Sequence, residues 1–423
     1  NRLQLGVDYQ SSTQTIDTLG AIQATALIRP IKGVGLQVQV DDQQTVGIGL
    51  QMGYGLGQVG SFWQSTEQND LYLTHSSGIH DKSPIKTGLQ IAAFTFDGPL
   101  PYQSDGGLFS GGTETYVSML NRIQKAVRDP SIKGLYIHIE SLSLSTAQIE
   151  ELRTEIIQAR ELGKKVIIYA QGSIGNGEYY LASAASQLLV HPAGSVELIG
   201  LHSERLYFNK LLKEVGIEPE FVKRAEYKSA PEQYTHIEGS EASKEQSTAL
   251  LNDIFNHMTK EISQNRGIPV ETLHNLIDNA PFSNQQALNK SLVDKVLYED
   301  EIEDVLDEEF GNFHWLEDNY GYSRPDGWES NPEIAIIPIT GVIMPGESQS
   351  PGLLGGGYSA GSKTIVGQIN EAADDDAVEA IVLRVDSPGG SAFASDQIWR
   401  AVTQAKAEKP VIVSMGGVAA SGG

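Results

Sequence analysis

Three apolar segments of this 423-residue chain recur in the same order and at nearly the same distance. Ile91-Ala92-Ala93-Phe94-Thr95-Phe96-Asp97-Gly98 returns as Ile334-Ala335-Ile336-Ile337-Pro338-Ile339-Thr340-Gly341. Gly134-Leu135-Tyr136-Ile137-His138-Ile139-Glu140 returns as Ala380-Ile381-Val382-Leu383-Arg384-Val385-Asp386, and Lys165-Val166-Ile167-Ile168-Tyr169 as Pro410-Val411-Ile412-Val413-Ser414. Ile334 stands 243 residues after Ile91, Ala380 246 after Gly134, and Pro410 245 after Lys165. An offset that holds over three successive segments predicts two copies of one folding unit. Each segment reads as a strand, and helical patterns separate them, Thr115 to Val127 and Ser145 to Leu162 in the first copy. Strands alternating with helices make the fold class α/β, with a mostly parallel sheet in each of two tandem βαβ repeats.

Further along the first copy, helices are expected from Ala242 to about Asn265, from Ser283 to Leu297 and from Glu301 to Glu309. The Pro-, Gly-, Asp- and Asn-bearing stretch from Asn312 to Pro332 reads as a linker. Ahead of both copies lies a different texture, poor in charge and rich in Gly, Gln and Thr. Its alternating segments, Gly35 to Val40 and Thr45 to Met52, predict strands with one face buried and a turn near Asp41-Asp42. A small accessory β-domain and part of a membrane β-barrel both fit that alternation. The expected organisation is a β-rich region over 1–86, a first repeat over 87–325 and a second over 326–423, the second unfinished where the chain stops.

Charge and composition exclude several classes of function. A formal net charge of −24 argues against nucleic acid as a partner, since phosphate binding needs an excess of Lys and Arg. With no cysteine there are no disulfides, no thiolate metal site and no cysteine nucleophile. Neither a cofactor nor a metal is called for. No signal peptide is visible at Asn1, and no apolar run approaches the ~20 residues of a membrane-spanning helix.

The two copies diverge where chemistry would sit. After its second strand the second copy carries Asp386-Ser387-Pro388-Gly389-Gly390-Ser391, and after its third Gly416-Gly417-Val418-Ala419-Ala420-Ser421-Gly422-Gly423. The first copy has Glu140-Ser141-Leu142-Ser143-Leu144-Ser145 and Gly172-Ser173-Ile174-Gly175-Asn176-Gly177 in those places, so Asn176 falls opposite Ser421. A serine is a useful nucleophile when it is exposed on a tight turn, has a base beside it, and faces donors aimed at a developing oxyanion. Ser421 is the candidate nucleophile, and Gly389, Gly390 and Gly422 are the candidate oxyanion-hole residues, because glycines let backbone N–H groups converge without a Cβ in the way. Histidine, the usual base, is absent from the second copy: the last of the nine is His314. A lysine can replace it if a desolvated pocket shifts its pKa towards neutrality, about three units at about 4 kcal/mol. Composition does not choose among the lysines.

Ala225-Glu226-Tyr227-Lys228-Ser229-Ala230-Pro231-Glu232 resembles the Tyr-Lys-Ser segment that holds the general-base lysine of bacterial signal peptide peptidases, the protease IV family. The Asp386–Gly390 loop and the Gly416–Gly423 turn resemble that family's oxyanion loop and nucleophile turn, and the tandem copy, with Tyr179-Tyr180-Leu181-Ala182-Ser183 in its degenerate half, resembles the family's long form. The resemblance runs from about Gly88 to the end of the chain. It implies a Clp/crotonase-like fold and a Ser/Lys dyad in which the first repeat lends Lys228 and the second Ser421. It further implies an acyl-enzyme mechanism, peptide substrates such as remnant signal peptides and unfolded segments, and a homo-oligomer, a tetramer above others. The implied location is the bacterial cell envelope, at the inner membrane with the catalytic domain facing the periplasm.

Residues 1 to about 86 have no counterpart in that family, its N-terminal membrane anchor is not visible, and the chain stops two residues after Ser421. The helix behind Ser421 and much of the substrate groove are then missing, so the fragment is expected to be inactive. A crotonase-type acyl-CoA enzyme would share the fold without needing Lys228. An α/β-hydrolase elbow would need a glycine where Ala419 stands. A catalytically dead scaffold is the reading from outside enzymology.

Overall fold

The computed structural model describes residues 2–10, 21–31, 34–41, 46–54, 57–64, 69–75, 89–103, 114–316, 333–350 and 357–423. The chain divides into two compact units between Leu89 and Gln90.

The first unit is an antiparallel meander of β1 (Arg2–Gln10), β2 (Ala21–Ile31), β3 (Val34–Asp41), β4 (Val46–Tyr54), β5 (Gly57–Gln64) and β6 (Asn69–His75). Each strand pairs with the next in sequence. The two alternating segments lie in β3 and β4, whereas the turn expected at Asp41-Asp42 lies outside the described residues after Asp41. The apolar set was expected on the buried face. Instead Leu36, Val38, Ile48 and Leu50 are 45%, 40%, 55% and 37% exposed, and the alternate positions Gly47 and Gly49 are buried. The reason is architectural: among the described residues this unit is one layer of strands, with no second layer of its own to cover the apolar side.

The second unit begins with β7 (Leu89–Pro99), α1 (Tyr116–Arg128), β8 (Ile132–Ser143), α2 (Thr146–Glu161), β9 (Lys165–Ala170), α3 (Asn176–Ala182), β10 (Gln187–Val190) and β11 (Ser195–Val196). It continues through α4 (Asn209–Glu214), α5 (Glu232–Thr235), α6 (Glu241–Arg266), α7 (Val270–Asp278), β12 (Phe282–Ser283), α8 (Asn284–Asn289), β13 (Lys295–Val296), α9 (Ile302–Phe310) and β14 (Phe313–Leu316). The recurring segments then build β15 (Glu333–Thr340), β16 (Val342–Met344), β17 (Ser359–Gly361), α10 (Ser362–Asp374), β18 (Val378–Ser387), α11 (Ala392–Ala405) and β19 (Val411–Ala419). One sheet has the order β13-β10-β9-β8-β7-β14, the other β15-β18-β19. The fold is α/β, and β7, β8 and β9 run parallel, as do β15, β18 and β19.

The two sheets share a register. Ile91 pairs with Gly134 as Ile334 pairs with Ala380, and Leu135 pairs with Val166 as Ile381 pairs with Val411. Equivalent caps accompany the strands. Ser145 and Ser391, at matching positions, cap α2 and α11 through their hydroxyls. The Lys164 ammonium donates to the carbonyls of Ala126 and Asp129, and Lys409 donates to the matching carbonyls of Ala372 and Asp375.

Both faces of the first sheet are covered, as parallel sheets require. Phe94, Phe96, Leu135 and Ile137 pack under α1 and α2, while Ile91, Ile167 and Tyr169 pack under α9. In the second sheet Ile337, Ile339, Leu383 and Val385 pack under α10 and α11. Its other face leaves Ile334 and Ile412 at 62% and 58% exposure.

Two predicted elements differ from the structure. The helix expected over Ser283–Leu297 stops at Asn289, because Asp294 exchanges hydrogen bonds with the Leu188 backbone and draws β13 onto the sheet edge beside β10. The predicted linker begins as β14, where Trp315 stacks edge-on against Phe313 and Tyr136; aromatic burial there outweighs the polar flanks. The rest of that linker, including the predicted boundary at 325/326, lies outside the described residues. Both repeats belong to one compact unit, Gln90–Gly423.

Candidate active site

Ser421 sits in an exposed turn directly after β19, with φ at 55°. The left-handed region costs a side-chain-bearing residue roughly 1–2 kcal/mol, so the surrounding turn must hold it there. It does so through the Ala420 N–H, which donates to the Ser387 carbonyl at 3.1 Å, and the Gly423 N–H, which donates to the Ala420 carbonyl at 2.9 Å. One residue beyond β18's Asp386, Ser387 is fully buried and ties three segments together. Its hydroxyl donates to the Gly341 carbonyl at 2.6 Å and accepts from the Gly389 N–H at 3.0 Å, while its carbonyl takes the Ala420 bond. Asp386 adds a fourth tie, its carboxylate accepting from the Val418 N–H at 3.0 Å.

These ties bring the glycine loop onto the Ser421 turn. Gly389 has φ at 88°, and a Cβ there would lie 2.7 Å from the Ser421 Cβ and 2.5 Å from the Gly422 nitrogen. Only glycine permits that approach. Of the three predicted donors, Gly389 has its N–H engaged by Ser387, so its contribution is shape. The Gly390 and Gly422 backbones remain adjacent, a Gly422 Cβ position lying 3.9 Å from the Gly390 nitrogen.

One residue at this site escaped the sequence reading. Ser395, in the first turn of α11, lies under Gly422, its hydroxyl 2.4 Å from where a Gly422 Cβ would be, and that hydroxyl is buried without a partner. The matching first-copy residue is Ile149, whose methyl lies 3.2 Å from where a Gly177 Cβ would be. A polar side chain in place of an apolar one, at an aligned position, was the available signal.

In the first copy the aligned turn has another use. Asn176 opens α3 and holds its own neighbourhood together, its amide donating to the Gly200 carbonyl at 2.6 Å and its oxygen accepting from the Ile199 N–H at 3.1 Å. The strand that turns at Pro388 in the second copy runs on in the first, where β8 pairs with β7 as far as Ser143 with Pro99.

Lys228 lies in an exposed turn of the first repeat, between Tyr227, whose hydroxyl donates to Glu245 at 3.1 Å, and the buried Ser229. Just beyond, the buried Glu232 carboxylate accepts from the Ser240 hydroxyl and N–H and from Lys223. Against the burial that pushes it up, these donors hold Glu232 below the usual carboxylate range. No hydrogen bond joins Lys228 to Ser421 among the described residues, and both side chains face solvent.

The repeats are joined elsewhere, through Arg384 on β18. Its guanidinium, 7% exposed, donates to Glu151 at 2.6 Å, to the Tyr102 hydroxyl at 2.7 Å and to Ser414 at 2.8 Å. Burial lowers the Arg384 pKa, but Tyr102 and Glu151 together hold it above its ordinary value. A cavity of about 360 Å³ adjoins this junction, lined by Tyr102, Tyr116, Glu151, Ile336 and Arg384. None of the five predicted site residues lines it.

Residues 158–311, which include Lys228, match the model of peptidase family S49. The chain is 31% identical over 71% of its length to a chloroplastic serine protease SPPA of Arabidopsis thaliana. It is 32% identical over 79% of its length to Protease 4 of Haemophilus influenzae, and 30% over 89% to Protease 4 of Salmonella typhi. It spans 45%, 60% and 61% of those relatives' own lengths.

Proposed function

This chain belongs to the signal peptide peptidase family (protease IV, peptidase family S49), and from that premise we propose that it is a serine endopeptidase with a Ser421/Lys228 dyad. The observation that carries the proposal is the packing of the Gly389-Gly390 loop against the left-handed Ser421 turn, in one repeat and not in the other. Ser421 Oγ attacks the scissile carbonyl carbon as its proton passes to the neutral Lys228 amine. The oxyanion takes hydrogen bonds from the Gly390 and Gly422 amides. The C–N bond breaks as the proton moves to the leaving amine, releasing one product and leaving an ester on Ser421. Water attacks that ester, Lys228 takes its proton, and collapse returns the proton to Ser421 Oγ.

A lysine base must be neutral, so water has to be kept from it. In the single chain Lys228 is exposed, and the segment around it displays Ile199, Leu206, Leu211, Val215, Phe221 and Val222 to solvent. A run of apolar side chains of this kind is what a protomer interface covers. The proposal therefore includes a homo-oligomer, a tetramer, in which neighbouring copies close over the dyad. Its substrates are remnant signal peptides and other unfolded peptides in the cell envelope. The repeat arises in this reading from a duplication in which one copy kept the nucleophile and the other the base.

The test uses the complete gene product against casein and a signal-peptide substrate, beside Ser421→Ala and Lys228→Ala. Hydrolysis lost in both variants, with a fluorophosphonate probe phosphonylating Ser421 of the unmodified protein and releasing fluoride, supports the dyad. Wild-type activity in either variant overturns it.

A further inference from the structure

Independently of that reading, we propose that β1–β6 form a lipid-facing segment of a transmembrane β-barrel, whose apolar face contacts the acyl chains of a bilayer. The register carries the pattern across all six strands. Leu3, Leu5 and Val7 pair with Ile28, Ala26 and Ala24; Ala24, Ala26 and Ile28 pair with Val40, Val38 and Leu36. Those pair onward with Val46, Ile48 and Leu50, while Val59 is paired to Met52 on one side and Leu73 on the other. The intervening positions include Gln4, Gly6, Thr25, Gln37, Gln39, Gly47, Gly49, Gln51 and Gly60, together with Leu27, Phe62 and Tyr72 and, towards the strand ends, Arg2, Asp8, Arg29, Asp41 and Asp70. The exposures of Leu36, Val38, Ile48 and Leu50 show the apolar set on the open side.

A soluble sheet guards its exposed edges with Lys or Pro. Here neither edge strand, Arg2–Gln10 nor Asn69–His75, contains Lys or Pro, and no lysine occurs in any of the six strands. The opposite set is mainly Gln, Thr and Gly with its charged residues towards the strand ends, a predominantly polar face such as the inside of a barrel presents. Strand length agrees with a bilayer. A nine-residue strand such as β1 or β4 rises about 3.3 Å per residue, so tilted by about 40° it spans about 23 Å, against an apolar band of about 25 Å.

Aromatic residues mark both rims: Tyr9 and Trp63 near one set of strand ends, Tyr54 at the other. The connections are asymmetric as well. At the Tyr54 rim the chain crosses from Ile31 to Val34 and from Tyr54 to Gly57, whereas at the opposite rim it crosses from Gln10 to Ala21, Asp41 to Val46 and Gln64 to Asn69. Lipid-embedded barrels place short turns on the periplasmic side and longer connections outside. β6 ends on the short-turn rim. Six strands are fewer than the eight of the smallest such barrels, so the β1 and β6 edges pair with further strands in the assembled wall. No helix among the described residues is long and apolar enough to cross a membrane.

The absence of cysteine makes the test direct. Single cysteines replace Leu36, Val38, Ile48 and Leu50, and, on the other face, Gln37 and Gln51, in the full chain. Each is labelled with an environment-sensitive fluorophore and reconstituted in phosphatidylcholine vesicles containing a doxyl-labelled lipid. Blue-shifted, doxyl-quenched emission at the first four positions, with neither effect at the two glutamine positions, is the expected result. Quenching at none of the positions, or equally on both faces, overturns the proposal. Emission already blue-shifted without lipid and unmoved by vesicles also overturns it, since another protein surface then covers the face. Should a labelled variant lose its strand signal in circular dichroism, the unmodified chain decides. It should float with the vesicles after an alkaline carbonate wash, and recovery in the non-floating fraction overturns the proposal.

Discussion

Asn176 and Ser421 occupy aligned turns at the end of aligned strands, and the structure puts them to opposite uses. Asn176 spends its whole side chain on the backbone at Ile199 and Gly200, whereas Ser421 is exposed with its backbone held in a left-handed conformation by Ser387. Beneath each turn the first residue of contact is Ile149 in one copy and Ser395 in the other. The strand registers, the serine caps and the Lys164 and Lys409 bonds to backbone carbonyls are shared. A common scaffold therefore carries one turn closed by its own side chain and one with its serine exposed, and the divergence is confined to a handful of side chains at one end of the sheet. Loops at strand ends can change in this way because the packed strands behind them do not.

The sharpest way to break this comparison is to swap the roles of the two turns. Ser421→Ala in the complete gene product should lower peptide hydrolysis by several orders of magnitude, since the remaining groups cannot form the ester. Asn176→Ala should leave hydrolysis within a few-fold and cost about 1–2 kcal/mol in denaturant unfolding, the expense of two lost hydrogen bonds. If Asn176→Ala abolishes hydrolysis while Ser421→Ala does not, the functional assignment of the copies is reversed.

The next largest effect is expected where the copies are joined. Arg384 is aligned with His138, and only the arginine reaches across to Tyr102 and Glu151. Glu151→Ala leaves a buried guanidinium without its carboxylate and should destabilise by about 3–5 kcal/mol. Arg384→Met should cost clearly less, because Glu151 is 34% exposed and can hydrate once the arginine is gone. Chemical denaturation of both variants checks the order, and a negligible loss in both would remove Arg384 as the clasp between repeats.

A smaller difference is expected from the open sheet face. Ile91 and Ile167 are fully buried under α9, while their counterparts Ile334 and Ile412 are mostly exposed. Ile167→Ala should cost about 2–4 kcal/mol and Ile412→Ala less than about 1 kcal/mol. Equal costs in thermal or denaturant unfolding would mean that the second face is covered in solution.

What was legible in advance follows the same division. Apolar β-branched segments at a constant offset announced strands, order and pairing, because burial on both faces leaves little choice of residue. Short elements were missed where one tertiary contact overrides local pattern, as when Asp294 draws β13 to the sheet or Trp315 makes a strand of a polar stretch. Ser421 and the glycine loop stand out in the sequence because the two copies disagree there. The engagement of the Gly389 amide by Ser387 could not, since it depends on a donor geometry that no residue type encodes. Arg384 carried a visible signal, a charge inside an apolar strand, but its partners Tyr102 and Glu151 lie more than two hundred residues away. The apolar alternation of β3 and β4 is legible as a face, but alternation reports two sides and not which of them meets water.

The smallest expected effect concerns the segment that holds Lys228, which has no counterpart in the second repeat as described. Glu232 anchors that segment, and its carboxylate pKa lies below the ordinary range, despite burial, through the bonds from Ser240 and Lys223. A carboxylate depressed in the folded state stabilises it above the ordinary carboxylate pKa, and that contribution disappears as the pH falls through the depressed value. Wild-type protein should therefore exceed Glu232→Gln in stability, by about 1 kcal/mol, at neutral pH. The gap should begin to close only below the pH at which free carboxylates protonate, and should vanish in stronger acid. Unfolding midpoints of the two proteins measured across that range test this, and a gap that is independent of pH would assign Glu232 a steric role in place of an ionic one.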